Sequence, residues 1–452
     1  MNKPLNVFYL FRADDPGARK PTKLTERILP EICGYLSGQD VARPVRVFAQ
    51  INRGGGKADR FVVPPHVEIP HVNSLESLYE ELRKAGANIT EVDLPGYEGG
   101  GEIIEDFVEC YATEAKFEQA DNVLVLAGHG ASTSSMVLLK MLQQLSLFDP
   151  SGSISDFVSA MSGSLVPGET DMWRELGERL KKLHDLHVEN ERYLYTRSVA
   201  ETLRGKIKFN LIWTHACGMA TLESAYDLEN VTDYYIASPF DIRAQGNHRS
   251  WIRQVGEHPV TGLEFARTTA CYFYESVSKT WPTVCVDFTD FTRIRQEFDD
   301  VVNAILGWMN GEQGEKAIAA LVRAATRFEC ATETTYDVYF FFDSLASDFR
   351  TPNEVSRACH VFCDALAERT TIFGREAYEG SKDSRPYRCG GVSFYLPFIH
   401  QPTRQLAGSH VRTSALQWKS KLITETDWPQ ILERLHAEVS STQQDSQAIS
   451  LL

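Results

Sequence analysis

Nine cysteines are scattered along this 452-residue chain, and one of them stands in a setting suited to chemistry. Cys217 follows the apolar run Phe209–Thr214 in the sequence His215-Ala-Cys-Gly218, and the stretch from Gly218 onward reads as a helix. A thiol at a helix N-terminus feels the partial positive charge there, which lowers its pKa toward the nucleophilic thiolate. A second group follows another strand: His129 comes after Val123–Ala127 in the turn Gly128-His-Gly130. If the two strands are parallel neighbours, both side chains emerge at one edge of the sheet. An imidazole beside a thiol can promote thiolate formation and later protonate a leaving amine, as nucleophilic catalysis requires. The glycines around His129 permit a tight turn and leave a backbone N–H free to approach a substrate oxygen. The competing reading is a buried cysteine and a loop histidine that never meet.

The elements that must position these groups are legible as alternating patterns. Asn6–Phe11, Arg46–Ile51, Asn122–Ala127, Phe209–Thr214, Tyr234–Ser238 and Val284–Phe288 are rich in Val, Ile, Phe and Tyr and read as strands. Ser74–Ala85 reads as a helix with a Ser cap. Alternation of strands and helices predicts an α/β fold with a mostly parallel sheet covered on both faces. Asp149–Glu169 is crowded with Ser and Gly and leads into a charged helix near Asp171–His184. From about Phe298 the pattern is mainly helical, with a late β-rich stretch at Gly391–Phe398. This divides the chain into a domain at 1–297 interrupted by an inserted segment at 149–184, a mainly helical C-terminal domain at 298–440, and a flexible tail at 441–452.

The run Ile212-Trp-Thr-His-Ala-Cys-Gly-Met-Ala-Thr-Leu-Glu-Ser-Ala-Tyr-Asp-Leu228, followed by Asp233-Tyr-Tyr-Ile-Ala-Ser238, resembles the nucleophile region of the clostripain family of cysteine peptidases, in the caspase-like clan. The resemblance extends more weakly to Phe8–Asp14, Val47–Arg53, Val123–Gly130, Val260–Ala266, Thr283–Phe288 and Gly391–Pro397. It implies a caspase-like three-layer αβα sandwich and a cysteine endopeptidase working through an acyl-enzyme. It also implies a catalytic dyad of His129 and Cys217, with the backbone N–H groups of Gly130 and Cys217 as the oxyanion hole. Two such donors facing a developing negative oxygen are usually the largest catalytic term.

Two positions depart from the family pattern. Relatives that cleave after Arg or Lys carry an Asp two residues before the nucleophile and another in a later turn. Here those positions are His215 and Gln245. A guanidinium buried without an anion is costly, so cleavage after Arg or Lys is not expected. His215, Gln245 and Arg243 could accept an acidic side chain or frame a neutral one, and Asp241 could restore some acidity. The dyad positions are also further apart in sequence than the family usually needs. The surplus falls in 149–184, which reads either as a regulatory segment, cut on activation or docking an activating partner, or as decoration. The C-terminal region is a second place for a partner.

Composition narrows the remaining classes. A net charge of −15 without a basic block argues against nucleic acid or an anionic membrane as partner. No run approaches the roughly 20 apolar residues that span a bilayer, and Val7–Phe11 is followed by charges rather than a cleavage site, so a cytoplasmic location with reduced thiols is expected. No cofactor or metal is expected: calcium dependence occurs in some relatives, but no Asp-x-Asp-x-Asp-Gly loop is present. Gly54-Gly-Gly56 and Gly99-Gly-Gly101 lack the spacing of phosphate loops, and Cys359 and Cys363 read as core thiols on a helix rather than a zinc site. By analogy with the clan, the expected role is a regulated intracellular effector protease in defence, antiviral defence included, or in cell death, with a gasdermin-like pore former as one candidate substrate. The alternative is a catalytically silent caspase-like scaffold.

Overall fold

The computed structural model describes residues 3–12, 28–30, 32, 43–53, 56–64, 69, 72, 74–94, 101–128, 196–216, 218–240, 248–276, 282–325, 335–374, 389–396 and 420–435. The segment 149–184 and the tail 441–452 lie outside them.

Five strands form the parallel centre of a nine-stranded sheet: β1 (Leu5–Arg12), β2 (Val45–Arg53), β5 (Asp121–Ala127), β6 (Phe209–His215) and β7 (Thr232–Ala237), in the order β2-β1-β5-β6-β7. Both edges are antiparallel. β3 (Lys57–Val62) and β4 (Thr90–Asp93) extend one side, and β8 (Thr283–Asp287) and β10 (Thr370–Phe373) the other. The six expected strands are all present. The sheet is mixed because the expected strand β8 runs antiparallel to β7, and because β3, β4 and β10, which the apolar pattern did not signal, add antiparallel edges.

Alternation along β1 shows why the sheet is covered on both sides. Phe8 and Leu10 face one core; Val7, Tyr9 and Phe11 face the other. The second core takes helices α1 (Leu75–Lys84), α5 (His248–Glu257) and α6 (Gly262–Ser276). The first takes α2 (Gly101–Ala115), α3 (Thr196–Leu203), α4 (Leu222–Leu228) and α7 (Phe291–Asn310), then α8 (Gly314–Ala325), α9 (Val338–Ser347) and α10 (Asn353–Arg369). The α1 N-cap is as expected, with the Ser74 hydroxyl accepting from the Ser77 N–H. Gly101 begins α2 where a Cβ would come within 2.4 Å of the Ser198 carbonyl, so this glycine serves close helix packing.

Helix α7 runs through residue 297, and the first core continues across it into the C-terminal helices. A short two-stranded sheet, β9 (Thr335–Asp337) with β11 (Ser393–Tyr395), helix α11 (Lys421–Thr424) and a further helical stretch at 428–435 complete the described chain. Cys359 and Cys363 lie on α10 and are buried, and burial pushes the Cys359 thiol up to about 12, as befits core thiols.

Candidate active site

β5 and β6 are adjacent and parallel, with Ala127 opposite His215 at their C-terminal ends. The ladder continues one step further, since the Gly128 N–H donates to the His215 carbonyl at 3.3 Å. His129 and Cys217 each stand two positions beyond that last register pair in sequence. Both lie outside the described residues, as do Gly130, Asp241, Arg243 and Gln245; His215 is the described member of the expected set.

The chain after Cys217 departs from the helix expected there. Gly218 takes the left-handed φ of 63°, and α4 begins only at Leu222, with the Thr221 hydroxyl accepting from the Ser224 N–H as its cap. Residues 218–221 instead form a turn held from three directions. The Gly218 N–H donates to the Phe240 carbonyl at 2.9 Å and the Ala220 N–H to the Ser238 carbonyl at 3.0 Å, both beyond the end of β7. The Tyr235 hydroxyl donates to the Met219 carbonyl at 2.7 Å, and the Ser393 N–H of β11 donates to the Ala220 carbonyl at 2.9 Å. A helix that starts five residues after the cysteine acts on it weakly, because the terminal charge falls off within one turn.

His215 is 1% exposed, and its ring lies in the second core rather than on an open surface. Nδ1 of His215 is 3.1 Å from Nε2 of His248, and Nδ1 of His248 is 2.8 Å from the Tyr9 hydroxyl. Trp213 stacks on His248, and Phe273 meets His215 edge-on. Burial, and secondarily His215, push the His248 pKa well below its usual value. Tyr9, His248, Tyr235 and Ser393 escaped the sequence reading. Tyr9 and Tyr235 read as ordinary strand aromatics, and nothing local ties His248 to a residue 239 positions earlier. Among the described residues, no cluster of three His, Cys, Asp or Glu side chains could hold a metal ion, and no helix is long and apolar enough to cross a membrane.

Comparison with known proteins follows the same lines. A model of the Peptidase C11, clostripain family matches residues 181–434, a span that includes the Cys217 block and stops short of His129. Among solved structures, an inactive zymogen C11 protease from Parabacteroides distasonis is 13% identical, with 92% of this chain and 97% of that chain covered and a TM-score of 0.52. A secreted C11 cysteine protease from Bacteroides thetaiotaomicron, iotapain, is 13% identical over 93% of this chain and 99% of that chain, also with a TM-score of 0.52. A secreted C11 cysteine protease from the same organism in complex with an irreversible peptide inhibitor is 11% identical, with 95% and 100% covered and a TM-score of 0.52. At such identities the likeness is one of fold. Comparison with curated proteins finds no match.

Proposed function

Since this chain belongs to the clostripain family of cysteine peptidases, we propose that it cleaves peptide bonds with Cys217 as nucleophile and His129 as proton carrier. The observation that carries the assignment is the shared edge of β5 and β6, with Ala127 opposite His215 and each dyad member two residues further along its own chain. In the proposed reaction the Cys217 sulfur attacks the peptide carbonyl, and the N–H groups of Gly130 and Cys217 hold the oxyanion. His129 protonates the departing amine, and water, deprotonated by the same imidazole, then releases the acyl group.

The substrate residue before the cut is proposed to be other than Arg or Lys. Support comes from His215 and Gln245 at the positions where basic-specific relatives carry Asp, leaving no carboxylate at either to pair with a cation. Asp241 and Arg243 are proposed to line the same pocket. The role proposed is that of a controlled effector in the cytosol, acting on one or a few proteins. The Parabacteroides distasonis relative is an inactive zymogen, and the Ser/Gly-rich 149–184 is the segment proposed to be cut on activation.

A peptide-library cleavage profile of wild type, Cys217→Ala and His129→Ala tests this reading. The expected result is cleavage by wild type alone, after uncharged or acidic residues. Equal turnover by Cys217→Ala would remove the assignment, and dominant cleavage after Arg would remove the pocket reading. Absence of a wild-type-specific cut within 149–184 during incubation would remove self-activation.

A further inference from the structure

The side chains of Tyr9, His248 and His215 form a continuous hydrogen-bonded chain beneath the C-terminal ends of the central strands. The three residues are 0%, 0% and 1% exposed. They come from three elements: β1, the first residue of α5 and the last residue of β6. The imidazoles are stacked, with His215 and His248 inclined by 11° and Trp213 and His248 by 15°. Trp251 and Phe273 pack edge-on against Trp213.

Three polar side chains are a demanding way to fill a core. Each must be desolvated, and apolar residues of similar size would avoid that cost. A satisfied buried network does something an apolar cluster does less well, which is to admit one arrangement of the elements it joins. The elements joined here adjoin the candidate site residues in sequence. His215 stands two residues before Cys217, while His248 directly follows the 241–247 stretch that contains Asp241, Arg243 and Gln245.

We infer that the Tyr9–His248–His215 chain is a brace for substrate recognition, fixing the end of β6 against the start of α5, the two element ends that adjoin Cys217 and the 241–247 stretch in sequence. Tyr9, His248 and His215 are all positioning residues in this assignment and act through the end of β6 and the start of α5. The inference rests on the peptidase reading above.

The chemistry of the chain restricts its protonation. An imidazole–imidazole hydrogen bond needs an N–H on one ring and a lone pair on the other, so a doubly protonated pair cannot keep it. Among the described residues, the titratable groups facing His248 are Tyr9 from β1 and His215 from β6, while α6 presents Phe273 and α5 its own Trp251 to the same cluster. The depressed pKa of His248 agrees with a chain closed by uncharged His248.

Tyr9→Phe keeps the ring and deletes only the hydroxyl. With a peptide that wild type cleaves, the variant is expected to raise KM about tenfold, the worth of one such hydrogen bond, and to leave kcat within about twofold. Unchanged KM would overturn the inference, as would a loss confined to the fraction of folded enzyme. A second measurement needs no turnover: nitrogen-15 NMR of labelled histidines, assigned with His248→Asn. His248 is expected to show a neutral imidazole near pH 6, with its nitrogen shifts displaced in Tyr9→Phe. An imidazolium there, or shifts indifferent to the Tyr9 hydroxyl, would overturn the brace itself. Normal Tyr9-dependent shifts in a protein that cleaves no peptide would instead overturn the peptidase reading and with it the recognition role.

Discussion

Asp227 shows how a single residue can report on the docking of distant parts of the chain. Its carboxylate lies on α4, 1% exposed, where it accepts from the Thr196 hydroxyl of α3 at 2.7 Å and from the Lys421 backbone N–H of α11 at 2.8 Å. Burial outweighs these bonds and pushes its pKa from 3.8 up to about 6. A carboxyl raised in the folded chain binds its proton more tightly there than in the unfolded chain. Its contribution is therefore present in full below pH 3.8 and is lost as pH rises through about 6. At 1.36 kcal/mol per unit, the loss is about 3 kcal/mol. Asp227→Asn keeps an oxygen for the Lys421 N–H and an amide N–H for the Thr196 oxygen, without a charge to bury. Denaturant unfolding at pH 4 and pH 8 is expected to show the variant gaining about 3 kcal/mol on wild type over that interval. A stability difference that does not change with pH would contradict the burial argument.

At the scale of elements, the turn after Cys217 is held by groups that belong to other elements. Tyr235 of β7 supplies a buried hydroxyl to the Met219 carbonyl and itself accepts from the Thr214 hydroxyl of β6 at 3.3 Å. Tyr235→Phe deletes that support while preserving the packed ring. Loss of one hydrogen bond of this kind costs about 1 kcal/mol, which predicts a fall of roughly fivefold to tenfold in kcat with KM little changed, because the turn directly follows the proposed nucleophile in sequence. A change confined to KM would place Tyr235 with the binding elements instead. A related prediction concerns Gly218: alanine there, at φ 63°, is expected to lose about 1–2 kcal/mol of stability in thermal or denaturant unfolding. These contacts explain what sequence could and could not disclose. Central strands such as Val123-Leu-Val-Leu126 are apolar on both faces because both faces are covered, and that pattern is visible in the residues themselves. β3 hides because its buried charges are paired: Asp59 with Arg53 at 2.8 Å, and Arg60 with Gln50 and Asp106, each at 2.6 Å. The start of α4 was missed because its delay to Leu222 depends on partners at Ser238, Phe240 and Ser393, none of them local. The ends of β5 and β6 were legible because both strands are apolar runs in the sequence, whereas the Tyr9–His248–His215 chain exists only once β1, β6 and α5 are assembled.

The whole molecule is tied together through the face of the sheet that bears α2, α3 and α4. One apolar cluster runs from Phe8 and Phe107 under the central strands, through Phe298 on α7, to Phe342, Phe362 and Trp428. Rings of Phe298 and Trp428 lie 5.7 Å apart, and those of Phe394 and Trp428 5.4 Å apart, so β11 and the 420–435 region share the core of the sheet. Ion pairs repeat the same connections at the surface, Arg295 of α7 reaching both Glu229 at 2.6 Å and Glu425 at 2.7 Å. An exposed pair such as Arg295–Glu425 contributes about 1 kcal/mol or less, Glu229 is a buried partner, and the large term is the aromatic core. Trp428→Ala should therefore cost about 3–5 kcal/mol, as truncation of a buried aromatic does. The same continuity predicts cooperativity. A division after residue 297 would pass through α7 and leave Val301, Val302 and Ile305 without the partners that cover them. Unfolding followed by far-ultraviolet circular dichroism and by tryptophan fluorescence is expected to give one coincident transition, and a chain ending at residue 297 is expected to be insoluble. A folded, soluble fragment of that length, or two separated transitions, would instead establish the C-terminal region as a unit that folds by itself and only docks on the sheet.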